Sequence, residues 1–138
     1  MIFYQKSKCK KDPTALDWRI DDYCEVLKES LPGDDDEKKN ELMEAMMMEY
    51  LATRGPITVM ISTGNMFANF KGKFYTGVCS YNIIDHAVYI VGYDGDAAPS
   101  WLIKNSWGDD WANKGYVLFP RKINQCLVNE YFNFPILP

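Results

Sequence analysis

The sequence predicts an α+β domain: one main helix followed by a small antiparallel, barrel-like sheet. Three observations predict it. From about Asp36 the chain runs in strong helix formers up to Thr53-Arg54-Gly55. After Gly55 its texture turns to short β-type segments separated by Gly, Asn, Asp and Pro. With 138 residues and 47% hydrophobic content, it has the material for a single core, burying roughly two-thirds of its unfolded surface.

From Met1 to Gly33 the composition is mixed, with Lys-Lys-Asp-Pro near the start, Leu-Pro-Gly at the end and no clear period, so extended segments and loop are expected. In the helix, Leu42, Ala45, Met46, Glu49 and Tyr50 recur at three- and four-residue steps. Asp34-Asp35-Asp36 supply capping oxygens and negative charge at its positive end, and Gly55 and Pro56 stop it. Met46, Met47 and Met48 cannot share one face, so part of the triplet packs and part meets a neighbour. The predicted strands are Ile57 to Ser62, Lys73 to Val78, Ala87 to Tyr93, Trp101 to Lys104, Gly115 to Pro120 and Tyr131 to Phe134.

Fifteen Lys+Arg against nineteen Asp+Glu give a net charge of -4 and a pI near 4.9, which argues against nucleic acid or an anionic membrane as partner. The apolar runs are far shorter than the roughly 18 residues of a membrane span, and Met1-Ile2-Phe3-Tyr4 is followed at once by polar residues, so no signal or anchor is expected. Cys9, Cys24, Cys79 and Cys126 lie far apart without a Cys-x-x-Cys pair, which argues against a zinc knuckle or a dithiol redox site. Disulfides in an oxidising compartment and four unpaired buried thiols both fit that spacing. No metal or cofactor is expected.

His86, the only histidine, heads the apolar run Ala87-Val88-Tyr89-Ile90-Val91-Gly92-Tyr93. Alone, such a histidine is more often packed than catalytic. Trp101-Leu102-Ile103-Lys104-Asn105-Ser106-Trp107-Gly108, then Trp111 and Gly115-Tyr116, changes the weighing. Three tryptophans so close together, interleaved with Asn, Ser and Gly, fit an aromatic wall beside a polar pair better than core packing. These blocks, with Gly55-Pro56-Ile57-Thr58-Val59 and Asp85-His86-Ala87-Val88, resemble the papain family of cysteine peptidases in identity and order. Asn-Ser-Trp-Gly-x-x-Trp is the most discriminating element. The resemblance covers Pro56 to Pro135 and continues more loosely back to Tyr4 and Cys9.

The resemblance implies the family's right-hand, C-terminal domain for residues 34–138 and the end of its N-terminal half for residues 1–33. It implies His86 as general base, Asn105 as the amide that orients the imidazole, and Trp107 and Trp111 as shields of their hydrogen bond. Such chemistry needs these types because thiolate and imidazolium stabilise each other, while a neutral amide oxygen accepts the ring N–H without adding charge. Substrate contacts fall to Met60, Ile84, Asp85, Ala87 and Tyr131, with Met60, Ile84 and Tyr131 around an apolar pocket made shallow by the tyrosine. Cys79 and Cys126 match the family's disulfide, Cys9 matches a cysteine whose partner lies upstream, and a Cys9–Cys24 bridge is a local alternative. The family usually has Gly after Cys126, where this chain has Leu127, so a different turn is expected.

In the family the nucleophile lies in a Cys-Gly-Ser-Cys-Trp type segment roughly 130–150 residues before the His, about 45–65 residues before Met1. No such segment occurs in these residues, and Cys24, flanked by Asp21, Asp22 and Glu25, is a poor thiolate. The expectation is a cysteine-type peptidase domain that is inactive by itself: a partial gene product, a processed chain pairing with a separate nucleophile-bearing chain, or a domain that no longer hydrolyses anything. The surface facing the absent half would be apolar and uncovered, which predicts self-association. Peptide or protein is the expected substrate, and a lysosomal or secreted setting follows from the resemblance alone. The alternative is a non-catalytic peptide- or peptidase-binding pseudoenzyme that uses the tryptophan wall without chemistry.

Overall fold

The computed structural model describes residues 21–80, 82–95 and 98–137. Six strands form one antiparallel sheet: β1 (Asp22–Leu27), β2 (Ile57–Ile61), β3 (His86–Asp94), β4 (Ser100–Lys104), β5 (Tyr116–Pro120) and β6 (Tyr131–Ile136), in the order β1-β6-β2-β3-β4-β5. The main helix, α1 (Asp36–Thr53), precedes β2, and a single turn, α2 (Asn65–Ala68), follows it. The α+β architecture with one main helix is the expected one.

Helix α1 starts where the Asp35 carboxylate accepts the backbone N–H groups of Glu37 and Lys38, at 3.1 and 3.2 Å. It ends as Gly55 takes φ +119° and Pro56 removes a donor. The buried face is set by Met43, Glu44 and Met47, whereas Leu42, Ala45 and Glu49 of the predicted stripe are exposed. That correction amounts to turning the helix by about one residue, or 100°. Apolar residues flank the helix on several sides, so periodicity could not choose among faces, and docking on β2 and β3 did.

Alternation works cleanly in the strands. Ile57, Val59 and Ile61, Val88 and Ile90, Val117 and Phe119 all point into one core with Met43, Met47 and Trp101. Two strand assignments change. Lys73 to Val78 is not a strand: it makes one bridge, Phe74 to Leu118, and then turns as the Tyr75 hydroxyl donates to the Val78 carbonyl at 2.8 Å. Asp22–Leu27, inside a stretch read as extended or loop, is instead a full edge strand on β6. Its charged, exposed residues suit a sheet edge. The part of that stretch on residues 1–20, with Cys9, lies outside the described residues.

Buried Glu44 ties α1 to the segment before β6. It accepts the backbone N–H of Lys122 at 2.7 Å and the amide of Asn129 at 3.2 Å, and faces Arg121 at 3.5 Å. The Arg121 guanidinium also lies over the rings of Trp101 and Tyr93. In the same segment Lys122, Asn124, Cys126 and Leu127 all have left-handed backbone. Leu127, at φ 62°, occupies a conformation that glycine adopts freely. A disulfide joins Cys126 to Cys79, with Cα atoms 5.3 Å apart.

Candidate active site

His86 is the first residue of β3 and Asn105 the first after β4. The ladder pairs Tyr89 with Lys104, so Asn105 falls level with Val88, and His86 lies two residues along on the same face. Diagonal neighbours on antiparallel strands are roughly 7–8 Å apart at Cβ, within reach of an imidazole and a carboxamide. The contact forms: His86 Nε2 lies 2.8 Å from Asn105 Oδ1.

The same oxygen accepts the backbone N–H of Ser106 at 2.8 Å, which identifies it as the carbonyl end of the amide. His86 Nε2 therefore carries the proton it donates, and the neutral ring keeps its basic lone pair on Nδ1. Asn105 is buried and held by its own N–H on the Gly115 carbonyl at 2.9 Å. Two features favour glycine at Gly115. Its φ is +83°, and a Cβ there would sit 3.3 Å from the Gly108 carbonyl oxygen.

The Trp107 ring lies 4.6 Å from the imidazole, inclined by 30°, and is itself 37% exposed. Behind it Trp111 is buried, packs edge-on at 5.5 Å and donates its indole N–H to the Phe67 carbonyl at 3.1 Å. Phe67 on α2 is the hub that sequence reasoning missed. It touches Trp107, Trp111, Tyr75 and Phe119 at centroid distances of 5.0 to 5.7 Å. A lone Phe in a four-residue helix carries no periodic signal.

Met60, Ile84 and Tyr131 come together around one groove of about 870 Å³, with Leu27, Ile83 and Leu127. The Tyr131 hydroxyl donates to Glu25 and accepts from the Asn133 amide, each at 2.9 Å. Burial, followed by the nearby Glu25, pushes this phenol above the ordinary tyrosine pKa. Ala87 is exposed and pairs with Met60 in the β2–β3 ladder. The Asp85 carboxylate is turned instead to Thr63, accepting its N–H at 2.8 Å and its hydroxyl at 3.0 Å, and so anchors the end of β2 beside His86. Thr63 is a second residue the sequence reading did not pick out. A separate hollow between α1 and the β1–β6 edge is lined by Cys24, Tyr50 and Phe134, and none of the His86, Asn105 or tryptophan side chains reaches it.

The profile of the papain family cysteine proteases matches residues 4–136. The chain is 38% identical over 96 residues to cathepsin K of Mus musculus, covering 67% of this chain and 29% of the relative. It is 39% identical over 89 residues to cysteine proteinase B of Leishmania mexicana, covering 64% of this chain and 20% of the relative. Among solved structures, digestive procathepsin L2 proteinase from Tenebrio molitor larval midgut superposes with a TM-score of 0.69 at 30% identity, over 95% of this chain and 38% of that one. The chain belongs to the papain family of cysteine proteases. It spans less than a third of the length of the curated relatives it matches.

Proposed function

We propose that these residues supply the base, the orienting amide and part of the substrate cleft of a papain-like cysteine peptidase, and that the nucleophilic thiolate comes from outside residues 1–138. Residues 34–138 form the helix-and-sheet C-terminal domain, to which Asp22–Leu27 adds an edge strand, and residues 1–33 otherwise belong with the N-terminal half. In the reaction a thiolate attacks the peptide carbonyl carbon, the His86 imidazolium protonates the leaving amine, and His86 then takes a proton from the water that releases the acyl group. Asn105 holds the ring so that Nδ1 faces the sulfur, while Trp107 and Trp111 keep water from the Nε2 hydrogen bond. Met60, Ile84, Asp85, Ala87 and Tyr131 border the bound peptide.

The observation that carries this reading is the 2.8 Å contact of His86 with Asn105 beneath the Trp107 ring. The cysteines among the described residues support an external nucleophile. Cys79 and Cys126 are bonded to each other. Cys24 sits on β1, three strands from β3, about 14 Å across the sheet by strand spacing. A lysosomal or secreted setting is part of the same proposal, supported by the disulfide, which persists in oxidising compartments.

The test is complementation. The chain alone should cleave no peptide, and adding a polypeptide that carries the family's nucleophile segment should restore thiol-dependent cleavage. His86→Ala should then lower the rate by roughly 10²–10⁴-fold with an unchanged circular dichroism spectrum. Restored cleavage indifferent to that substitution refutes the base assignment. Peptide capture that survives His86→Ala but weakens in Trp107→Ala, without any cleavage, favours the non-catalytic alternative.

A further inference from the structure

We infer that the groove beside Tyr131 selects a substrate side chain with an apolar stem and a cationic end, that of lysine or arginine. The inference rests on the peptidase reading above and adds a substrate class to it. Three observations carry it. The walls are apolar, made by Leu27, Met60, Ile84 and Leu127, and the charged residues among the described lining are Glu29 and Glu130, with no basic side chain. The floor is fixed and acidic behind: the Tyr131 hydroxyl is held between Glu25 and Asn133. Lys28, which follows Leu27 of the wall, is buried and does not line the groove.

Lys28 is also shared. It pairs with Glu130 and, at 2.9 Å, with Asp36, so a single positive charge serves two carboxylates. Glu25 and Glu29 add two more negative charges nearby, both exposed. Among the described residues, the groove therefore combines apolar walls with more carboxylates than ammonium groups at its rim. Lysine and arginine side chains match it: their methylene stems cover apolar surface while the charged head stays near water and carboxylates. An acidic side chain meets like charge, and a leucine side chain leaves the rim unused.

The test is an NMR titration of the isotopically labelled full chain, following Met60, Ile84 and Leu127 resonances, with N-acetyl-arginine amide, N-acetyl-leucine amide and N-acetyl-glutamate amide. Arginine amide should bind two- to five-fold more tightly than leucine amide at low ionic strength, the scale of an exposed ion pair, and glutamate amide most weakly. The advantage should shrink in about 1 M salt, where the screening length is about 3 Å. Glu29→Gln and Glu25→Gln, separately, should each move the arginine-to-leucine ratio toward one. Leucine amide binding as tightly as arginine amide overturns the inference, as does an arginine preference untouched by both substitutions, or the absence of any shift at these residues. The readout is independent of His86, so failure here and failure of the peptidase reading are separable: the latter shows in the complementation assay.

Discussion

The two sides of β2 are built in different ways. On one side, β3 and β4 bring His86 and Asn105 together through the register of a single ladder. On the other, the groove takes its residues from β1, β2, the segment before β3, the segment after Cys126, and β6. The first site is held by ladder hydrogen bonds between neighbouring strands. The second depends on long-range ties: the Cys79–Cys126 disulfide, the Glu44 anchor and the Lys28 ion pairs with Glu130 and Asp36. On that contrast, damage to one is expected to spare the other.

The largest test of that contrast is removal of the disulfide. Cys79→Ser with Cys126→Ser opens a loop with a sequence separation of 47 and should cost about 4 kcal/mol by the chain-entropy estimate, read as a lower denaturant midpoint. Below the transition, groove resonances of Leu127 and Tyr131 should broaden while the lone His86 signal keeps its ring-current shift from Trp107. Equal broadening of both would show one cooperative unit. Trp107→Ala acts in the opposite sense. It should lower complemented cleavage by about ten-fold, or ~1.4 kcal/mol of barrier, by admitting water to the Nε2 hydrogen bond, with groove binding retained.

The smallest test is electrostatic. The hydrogen bond from Lys28, then its charge, hold the Asp36 carboxyl below its usual 3.8. A depressed carboxyl stabilises the fold above its unfolded pKa, and that contribution fades as pH falls from there through the lower folded value. Asp36 is largely exposed, so the effect is modest. Asp36→Asn should lower the melting temperature slightly at pH 7, and the two proteins should converge once acidification has passed the lowered folded value. A gap that persists there would show that the substitution acts through something other than this charge.

Legibility followed the same division. The His86 and Asn105 blocks stand out because each is contiguous: a polar residue next to an alternating strand, and an Asn-Ser-Trp-Gly turn whose glycine takes φ +85°. The groove was only partly visible. Met60, Ile84 and Tyr131 were anticipated from resemblance, whereas Leu27, Glu29 and Glu130 were not, because they reach it only once β1 has paired with β6. Asp85 was expected at the substrate, and its carboxylate is engaged by Thr63, a partner 22 residues away.

By itself the amino-acid sequence determined the helix from Asp36 to Thr53 and most strands, since caps and period-two burial act over a few residues, while His86 and Asn105 were singled out by family resemblance. Tertiary structure alone decided which face of α1 is buried, that Asp22–Leu27 rather than Lys73 to Val78 completes the sheet, and that Phe67 backs the tryptophans. In each of these cases local preference was nearly balanced. Burial against a partner distant in the chain tipped it, because packing of a whole apolar face outweighs the few tenths of a kcal/mol by which such segments differ in propensity.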